Sequence, residues 1–240
     1  MSRAALLPAE VLTAMLHADP AAPRITCYDD TDSPTRGERV ELSGKVLANW
    51  VAKAANLLQD EFDVSTSTSV RLALPAHWRT AYWALACWTV GATVVLGHPD
   101  DVVDPDDLVL TVTDDPALAA DTDPVILVTL AALARRAPGP VPAGALDEAA
   151  DLATFPDAVS AWDTPDPSAP ALITAPGSTA YDHLVRPHTG GRVHLLDPGP
   201  EQFLRTALDV WAAAGSVVLT RGRPAPDALA DRLRAEHVTG

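Results

Sequence analysis

The chain has 240 residues, of which 48% are hydrophobic and 20% charged, so it can bury a substantial core. Its formal net charge of −15 argues against nucleic-acid phosphates, which require clustered Lys and Arg, and against an anionic membrane surface. Cys27 and Cys87 lie in unrelated contexts with no CxxC pair, which is typical of free thiols in a reducing compartment. We therefore expect a soluble cytoplasmic protein that does not bind nucleic acid.

Neither a signal peptide nor a membrane span is predicted. Glu10 and two prolines interrupt the first 20 residues, where a signal peptide needs an apolar core. Residues 80–97 carry no charge and approach the length of a span, but Gly91 divides them into a helix-like half and a β-branched half. A buried helix followed by a strand explains this stretch better than a membrane segment does.

A short helix and a β-hairpin are predicted at the start of the chain. The helix covers residues 6–16, and two strands follow at 24–28 and 39–42. The polar, turn-rich segment 29–37 between the strands is typical of a hairpin loop.

The next 20 residues predict an amphipathic helix. Ser43 can accept a hydrogen bond from the free N–H groups of a helix start, so it is the predicted N-cap. Behind it, apolar residues recur at helical spacing with polar residues on the opposite side. The predicted buried face is Leu47, Trp50, Val51, Ala54 and Leu58.

A strand, a buried helix and a second strand follow. Val70–Leu74 is a β-rich run closed by Pro75, which has no N–H to continue a ladder. Residues 78–90 are apolar on nearly all sides, Gly91 is placed to end the helix, and 93–96 is another apolar run. This order predicts a βαβ unit with parallel strands.

Two long segments resemble the adenylate-forming enzymes, which include acyl-CoA synthetases, adenylation domains of nonribosomal peptide synthetases and luciferases. The first reads ERVELSGKVLANWVAKAANLL and SVRLALPAHWRTAYWALACWTVGATVV, and the second reads VHLLDPGPEQFLRTALDVWAAAGSVVLTRGRPAPDALADRLRAEHVT. The match lies in the hydrophobic framework, so it bears on fold first and on function by analogy.

The predicted fold class is therefore α/β, with mainly parallel sheets and flanking helices, like the N-terminal half of an acyl-CoA synthetase large domain. Two further strand–helix units are predicted to begin at 108–113 and 125–130. The proline-rich segment 163–170 is the predicted linker between a lobe at 1–162 and a smaller lobe at 171–240. The resemblance implies a relative truncated before the family's adenine-binding motif and its C-terminal lysine domain.

The resemblance also locates the family's phosphate loop, which has the form YTSGTTGxPKG, at ITAPGSTAYDHLV. Gly177, Ser178 and Thr179 match its centre, but Asp182 stands at the proline and His183 at the lysine. An aspartate repels phosphates, and a neutral histidine does not replace a fixed cation. The nucleotide-binding candidates are Gly177, Ser178, Thr179 and His183 of a degraded loop; an ordinary polar turn is the alternative.

No catalytic residue is assigned, and ATP, AMP and Mg are disfavoured as cofactors. The predicted function is that of a catalytically incompetent homologue that binds a partner protein or a small acyl or nucleotide ligand. The alternative is an AMP-forming acyl- or amino-acid-activating ligase completed by a second chain. A homodimer or a protein partner is expected, because truncation would leave an apolar face or sheet edge uncovered.

Weaker candidates lie elsewhere. His77, Trp78 and His98 stand near predicted strand ends and are cleft candidates, although core packing is favoured for His77 and Trp78. The acidic segment 97–107 could hold a hard cation, but a solvated loop is the better interpretation. The histidines within 181–194 lack the spacing of a metal site, so none is predicted.

Overall fold

The computed structural model describes residues 6–97, 108–186 and 190–239. Within these ranges two β-sheets are packed with helices of very different length. The helices are α1 (Pro8–Ala18), α2 (Gly44–Phe62), α3 (Trp78–Val90), α4 (Pro116–Ala120), α5 (Glu148–Asp151), α6 (Tyr181–Leu184), α7 (Pro200–Ala212) and α8 (Pro226–Ala235).

The smaller sheet joins the beginning of the described chain to its end. Its strands are β1 (Pro23–Asp29), β2 (Arg39–Ser43), β10 (Arg192–Leu196) and β11 (Ser216–Arg221), in the order β10-β11-β1-β2. β1 and β2 are antiparallel, which confirms the predicted hairpin, whereas β11 is parallel to both β1 and β10.

The larger sheet has seven strands in the order β7-β6-β5-β3-β4-β8-β9. All of its pairings are parallel except β8 with β9, and the predicted parallel pairing within the βαβ unit, β3 with β4, is confirmed. The strands are β3 (Ser69–Ala73), β4 (Thr93–Val95), β5 (Leu108–Thr113), β6 (Val125–Leu127), β7 (Leu146–Asp147), β8 (Pro170–Thr174) and β9 (Gly177–Ala180).

The α/β fold class with mainly parallel sheets and flanking helices is thus confirmed. The predicted division at 163–170 does not coincide with a boundary between the sheets. β8 and β9 follow that segment yet extend the larger sheet, while β1 and β2 precede it and pair with the smaller one. Each sheet therefore takes strands from both sides of the proposed linker.

Helix α3 lies at the centre of the molecule. Every residue of it except Thr89 is buried, and it contacts β3 and β4 of the larger sheet as well as β1 of the smaller. Gly91 ends the helix with a φ of +86°, and a Cβ added there would lie 2.6 Å from the Cγ2 atom of Thr66. An apolar sequence on all sides is what such a doubly covered helix requires.

Buried polar groups connect this core to the strands. The Trp88 Nε1 atom donates to the Ala171 carbonyl at 2.8 Å, and the Trp211 Nε1 atom donates to the Arg24 carbonyl at 2.8 Å. The Arg24 guanidinium in turn donates to the carbonyls of Met15 and Gly215, near the ends of α1 and α7. Each bond gives a buried side-chain donor an acceptor within the core.

The structure corrects the predicted helix after β6. Residues 131–145 contain no helix, and the helical structure in residues 145–162 is limited to α5 and the 3₁₀ turn Leu152–Thr154. Prolines 138, 140, 142 and 156 lack the N–H that a helix interior needs, which explains the irregular course despite the alanine content. The strand and helix of the other predicted unit, β5 and α4, are present.

The tryptophans of the core yield a first prediction. Trp83 is fully buried and Trp78 is 2% exposed, whereas Trp50 is only partly buried and stacks on Tyr82 with ring centroids 5.8 Å apart. We expect Trp83→Ala and Trp78→Ala each to lower the free energy of unfolding by about 3–5 kcal/mol, and Trp50→Ala by clearly less. Urea unfolding monitored by circular dichroism measures this. Equal losses for Trp50→Ala and Trp83→Ala would contradict it.

A cluster of charges holds the end of α8 against the smaller sheet. The Glu236 carboxylate, whose side chain is 7% exposed, accepts hydrogen bonds from Tyr28, Arg39 and Arg192. The Arg232 guanidinium lies over the Tyr28 ring, 4.0 Å from its centroid. Burial alone would raise the pKa of Glu236, but these hydrogen bonds outweigh it and lower the pKa to about 2.

A second prediction follows for the pH dependence of stability. Because the pKa of Glu236 is lower in the folded chain than its ordinary value of 4.5, its contribution is complete above that value and declines as the pH falls toward 2. We expect Glu236→Gln to reduce the free energy of unfolding by at most about 3 kcal/mol at pH 7 and by progressively less below pH 4.5. Urea titrations from pH 7 to 3 test this.

Glu201→Gln is the matched control, because Glu201 forms only a partly exposed pair with Arg205 one helical turn away. It should change stability little at any pH. A loss for Glu236→Gln that stays constant between pH 7 and 3 would contradict the prediction.

Candidate functional site

The segment that matches the family's phosphate loop is a tight β-hairpin. β8 and β9 are joined by Ala175 and Pro176 alone, and Thr174 lies opposite Gly177 in the ladder. Gly177 has a φ of +144°, a conformation that residues with a Cβ rarely adopt. Ser178 is exposed and lies opposite Ile173. This segment therefore forms an antiparallel pair of strands instead of an open loop.

The Thr179 hydroxyl of the hairpin is already bound within the chain. The Thr179 Oγ1 atom accepts a hydrogen bond of 3.0 Å from Nη2 of Arg205, on α7. The Arg205 Nε atom donates to Oε1 of Glu201 at 2.9 Å, one helical turn away. The hairpin thus has a cation beside it, but a carboxylate partly neutralises that cation, and an incoming phosphate must compete with both contacts.

His183, at the position of the family's lysine, lies on α6. Its Nδ1 atom contacts Oδ1 of the adjacent Asp182, and its side chain is 75% exposed. α6 is fixed by Tyr181, which is buried and donates to the Ala92 carbonyl at 2.8 Å. The nearest partner of the imidazole is therefore an anion. The structure brings Gly177, Ser178 and Thr179 together, and their binding of a nucleotide stays a prediction.

Two of the three cleft candidates lie in the core, the environment that the sequence favoured for them. His77 and Trp78 are each 2% exposed, with ring centroids 5.5 Å apart, so both pack in the core. The His77 Nδ1 atom accepts from the Arg79 backbone N–H at 3.3 Å, which caps α3. Burial and the charges of Arg221 and Arg79 hold the pKa of His77 well below its usual value, so the ring is neutral. His98 lies outside the described residues.

Other chemistry-bearing groups of the described chain do not form a site around the hairpin. The described residues contain no cluster of three His, Cys, Asp or Glu side chains that could hold a metal ion, and most of the acidic segment 97–107 lies outside them. Cys27 and Cys87 are free and buried, and burial raises the pKa of Cys27 to about 12, which disfavours a reactive thiolate. In the part of the chain that is described, no helix has the length and hydropathy to cross a membrane.

Sequence reasoning missed Arg205. Glu201 and Arg205 are four residues apart on a helix, and this spacing predicts an ion pair on the helix surface. The spacing does not predict the contact of Arg205 with Thr179. Only the packing of α7 beside β9 reveals that the pair reaches the hairpin.

Comparison with solved structures defines the class of fold. The chain superposes on VinN in complex with L-aspartate with a TM-score of 0.65 and 16% identity, covering 99% of this chain and 66% of VinN. It superposes on the AMPPNP-bound form of the nonribosomal peptide synthetase FmoA3 with a TM-score of 0.68 and 20% identity, covering 100% of this chain and 25% of FmoA3. For the amide bond synthetase McbA from Marinactinospora thermotolerans the TM-score is 0.63 with 16% identity, over 97% of this chain and 47% of McbA.

The fold is therefore that of adenylate-forming enzymes, as the sequence resemblance implied, and the chain spans between a quarter and two-thirds of these neighbours' length. No family model matches the chain. A curated Mycobacterium tuberculosis (strain ATCC 25618 / H37Rv) protein, named "TIGR03089 family protein", is 33% identical over 258 residues, which cover 100% of this chain and 99% of the relative. The chain belongs to the TIGR03089 family.

Proposed function

We propose that this protein is a binding or auxiliary member of the adenylate-forming fold that does not turn over ATP. Its ligand is a partner protein or a small acyl or nucleotide compound. The observation that carries the proposal is the state of the β8–β9 hairpin, in which the Thr179 hydroxyl is held by Arg205. The proposal concerns chemistry, because the fold by itself is compatible with many functions.

The geometry of the hairpin supports this proposal. A phosphate cradle needs several backbone N–H groups that converge on one anion, as they do in nests and at helix N-termini. In the hairpin, residues 177–180 are instead extended and paired with 170–174, so part of their N–H groups bond to β8. The two-residue turn leaves little backbone to wrap around a triphosphate.

The charges around the hairpin support it as well. Adenylation requires the phosphates to be held while a carboxylate attacks, and that work is positioning plus charge stabilisation. Two carboxylates lie on elements near β9. Asp182 contacts the imidazole of His183, and Glu201 accepts a hydrogen bond from Arg205. In the described part of the chain, each of these charges near the hairpin is therefore at least partly compensated by its neighbour.

The proposal predicts the outcome of a direct assay. We expect no carboxylate-dependent exchange of labelled pyrophosphate into ATP, with fatty, aromatic or amino acids, above a heat-killed control. Each missing transition-state contact commonly costs a factor of about 10²–10³, and both the lysine and the convergent loop are replaced here. His183→Lys should not restore exchange, because the introduced ammonium would lie beside Asp182.

Thr179→Ala distinguishes the enzyme alternative. Exchange above the control that disappears in Thr179→Ala would show that the hairpin works on phosphates, and the activating-ligase function would then replace the proposal. Ser168→Ala is the matched control, since the Ser168 hydroxyl donates to the nearby Asp166 and lies before β8.

We further propose that the protein associates with a second copy of itself. β10 forms one edge of the smaller sheet, and the side chain of Leu196 at its end is 46% exposed. An edge strand with an exposed apolar residue is a ready surface for pairing with another chain.

The proposed self-association is tested by measuring the mass of the particle in solution. Light scattering at micromolar concentration should give twice the chain mass, and Leu196→Lys should shift the particle toward the monomer, because a charge at the edge opposes pairing. Leu133→Lys, at a residue 92% exposed and away from β10, is the control and should leave the dimer intact. A monomer that binds no apolar dye would contradict the proposal.

A further inference from the structure

A cavity of about 380 Å³ lies where the carboxyl ends of strands from the two sheets meet. Arg221 at the end of β11 faces Asp114, which follows β5, and Val128, which follows β6. Ligands in parallel α/β structures usually bind outside the carboxyl ends of strands. Three strand positions separate β5 from β8, so at about 4.8 Å per position the cavity is distinct from the β8–β9 hairpin.

The walls of the cavity are largely apolar and rigid. Proline has a fixed φ, and four prolines line the space, namely Pro34, Pro116, Pro138 and Pro140. The wall formed by residues 130–132 is held from behind. Arg79 donates to the carbonyl of Ala131 at 2.9 Å, and the Ala132 N–H donates to Glu38 at 3.2 Å. A preformed apolar pocket of this volume, at the small end of the usual range, suits a single ring system.

Arg221 presents hydrogen-bond donors to the cavity. Its Nη1 atom pairs with Oδ2 of Asp29 at 2.6 Å, and within the described residues its other side-chain nitrogens have no hydrogen bond. The Asp29 carboxylate is also occupied by the hydroxyls of Thr31 and Thr35. Asp29 thus fixes and partly neutralises the guanidinium without using its remaining donors.

Acceptor groups lie in the same cavity. The Asp114 carboxyl is close enough to Arg221 that the positive charge offsets part of the rise in pKa that burial causes. The Thr129 side chain also lines the cavity, is 9% exposed, and its Oγ1 atom has no partner among the described residues. The Thr129 Oγ1 atom is itself shielded from solvent, so Asp114 is the acceptor that a ligand in the cavity reaches.

The charges around the cavity balance. Arg136, Arg221 and Asp114 line the cavity, and Asp29 pairs with Arg221, so two positive and two negative groups surround the space. A charged ligand would disturb this balance, because an anion would be repelled by Asp114 and a cation by Arg221. An uncharged group that accepts a hydrogen bond from Arg221 and donates one to Asp114 matches both sides of the cavity. An amide carries this acceptor and this donor side by side.

We propose that this cavity binds an uncharged, largely apolar small molecule with an amide group, its carbonyl toward Arg221 and its N–H toward Asp114. The proposal names a ligand class for the binding role proposed above. It rests on that proposed function only in taking the chain to be a binding protein. The hairpin takes no part in it, and the test needs no nucleotide. Failure of the exchange prediction and failure of this one are therefore distinguishable.

The test compares three probes that share one ring. Benzamide is neutral, benzoate is an anion and benzylamine is a cation at pH 7, and each is titrated into ¹⁵N-labelled full chain. We expect benzamide to bind in the millimolar range, with amide shifts concentrated at residues 33–35, 114, 127–140 and 221, and the two ions to bind about ten-fold more weakly or less. Equal binding of the three probes, or benzamide shifts elsewhere, would overturn the proposal.

Two variants and a control sharpen the result. Ala134→Phe adds a ring to a half-buried lining residue and should abolish benzamide binding, whereas Leu133→Phe, at the neighbouring exposed residue, should preserve it. Asp114→Asn keeps the size and removes the charge, so the preference should shift toward benzoate by about ten-fold, a change that general loss of structure cannot produce. Unchanged preference in Asp114→Asn would exclude the assigned amide geometry.

Discussion

The burial of α3 is the constraint on which the rest of the structure depends. A helix that is apolar on all sides needs a cover on each of them, and the two sheets together with α1, α2 and α7 provide it. Neither sheet alone can remove this surface from water. The polar ends of Trp88 and Arg79 must also find partners in the strands and loops around the helix, and they do so at Ala171 and Glu148. The helix thus fixes how the two sheets face each other, and with it the cavity between their strand ends.

The sequence predicts the elements whose residues repeat at a regular spacing. It does not predict the features that depend on contacts between distant parts of the chain. α2, α3 and the β1–β2 hairpin follow from apolar spacing, N-caps and turn residues, because these signals act within a few residues. The irregular course of residues 131–145 was missed, since alanine content suggested a helix while prolines and the anchors at Arg79 and Glu38 determine the backbone. Strand order has no local signal either, because it is set by partners far along the chain, and each sheet combines strands from both sides of 163–170.

The candidate sites show the same limit. The positions of Gly177, Ser178 and Thr179 could be found by matching a motif, but the hairpin geometry and the contact with Arg205 depend on how α7 packs. Asp29 and Arg221 carry no local signal for each other, since 192 residues separate them. Burial of His77 and Trp78 likewise depends on both sheets closing over the start of α3. Charge pairs and cavities of this kind belong to tertiary structure, and a single sequence does not encode them at any fixed spacing.

The parallel pairing of β1 with β11 has a consequence for the order of events during synthesis. β1 and β2 leave the ribosome early, yet β1 acquires its second neighbour only when residues 216–221 have been made. Until then, one side of the hairpin is an unpaired strand edge, and the surface of α3 that faces it has no complete cover. Such an exposed edge is prone to incorrect pairing, and the large loop that must close slows the final step. The core is therefore completed late in synthesis, when β11 pairs with β1.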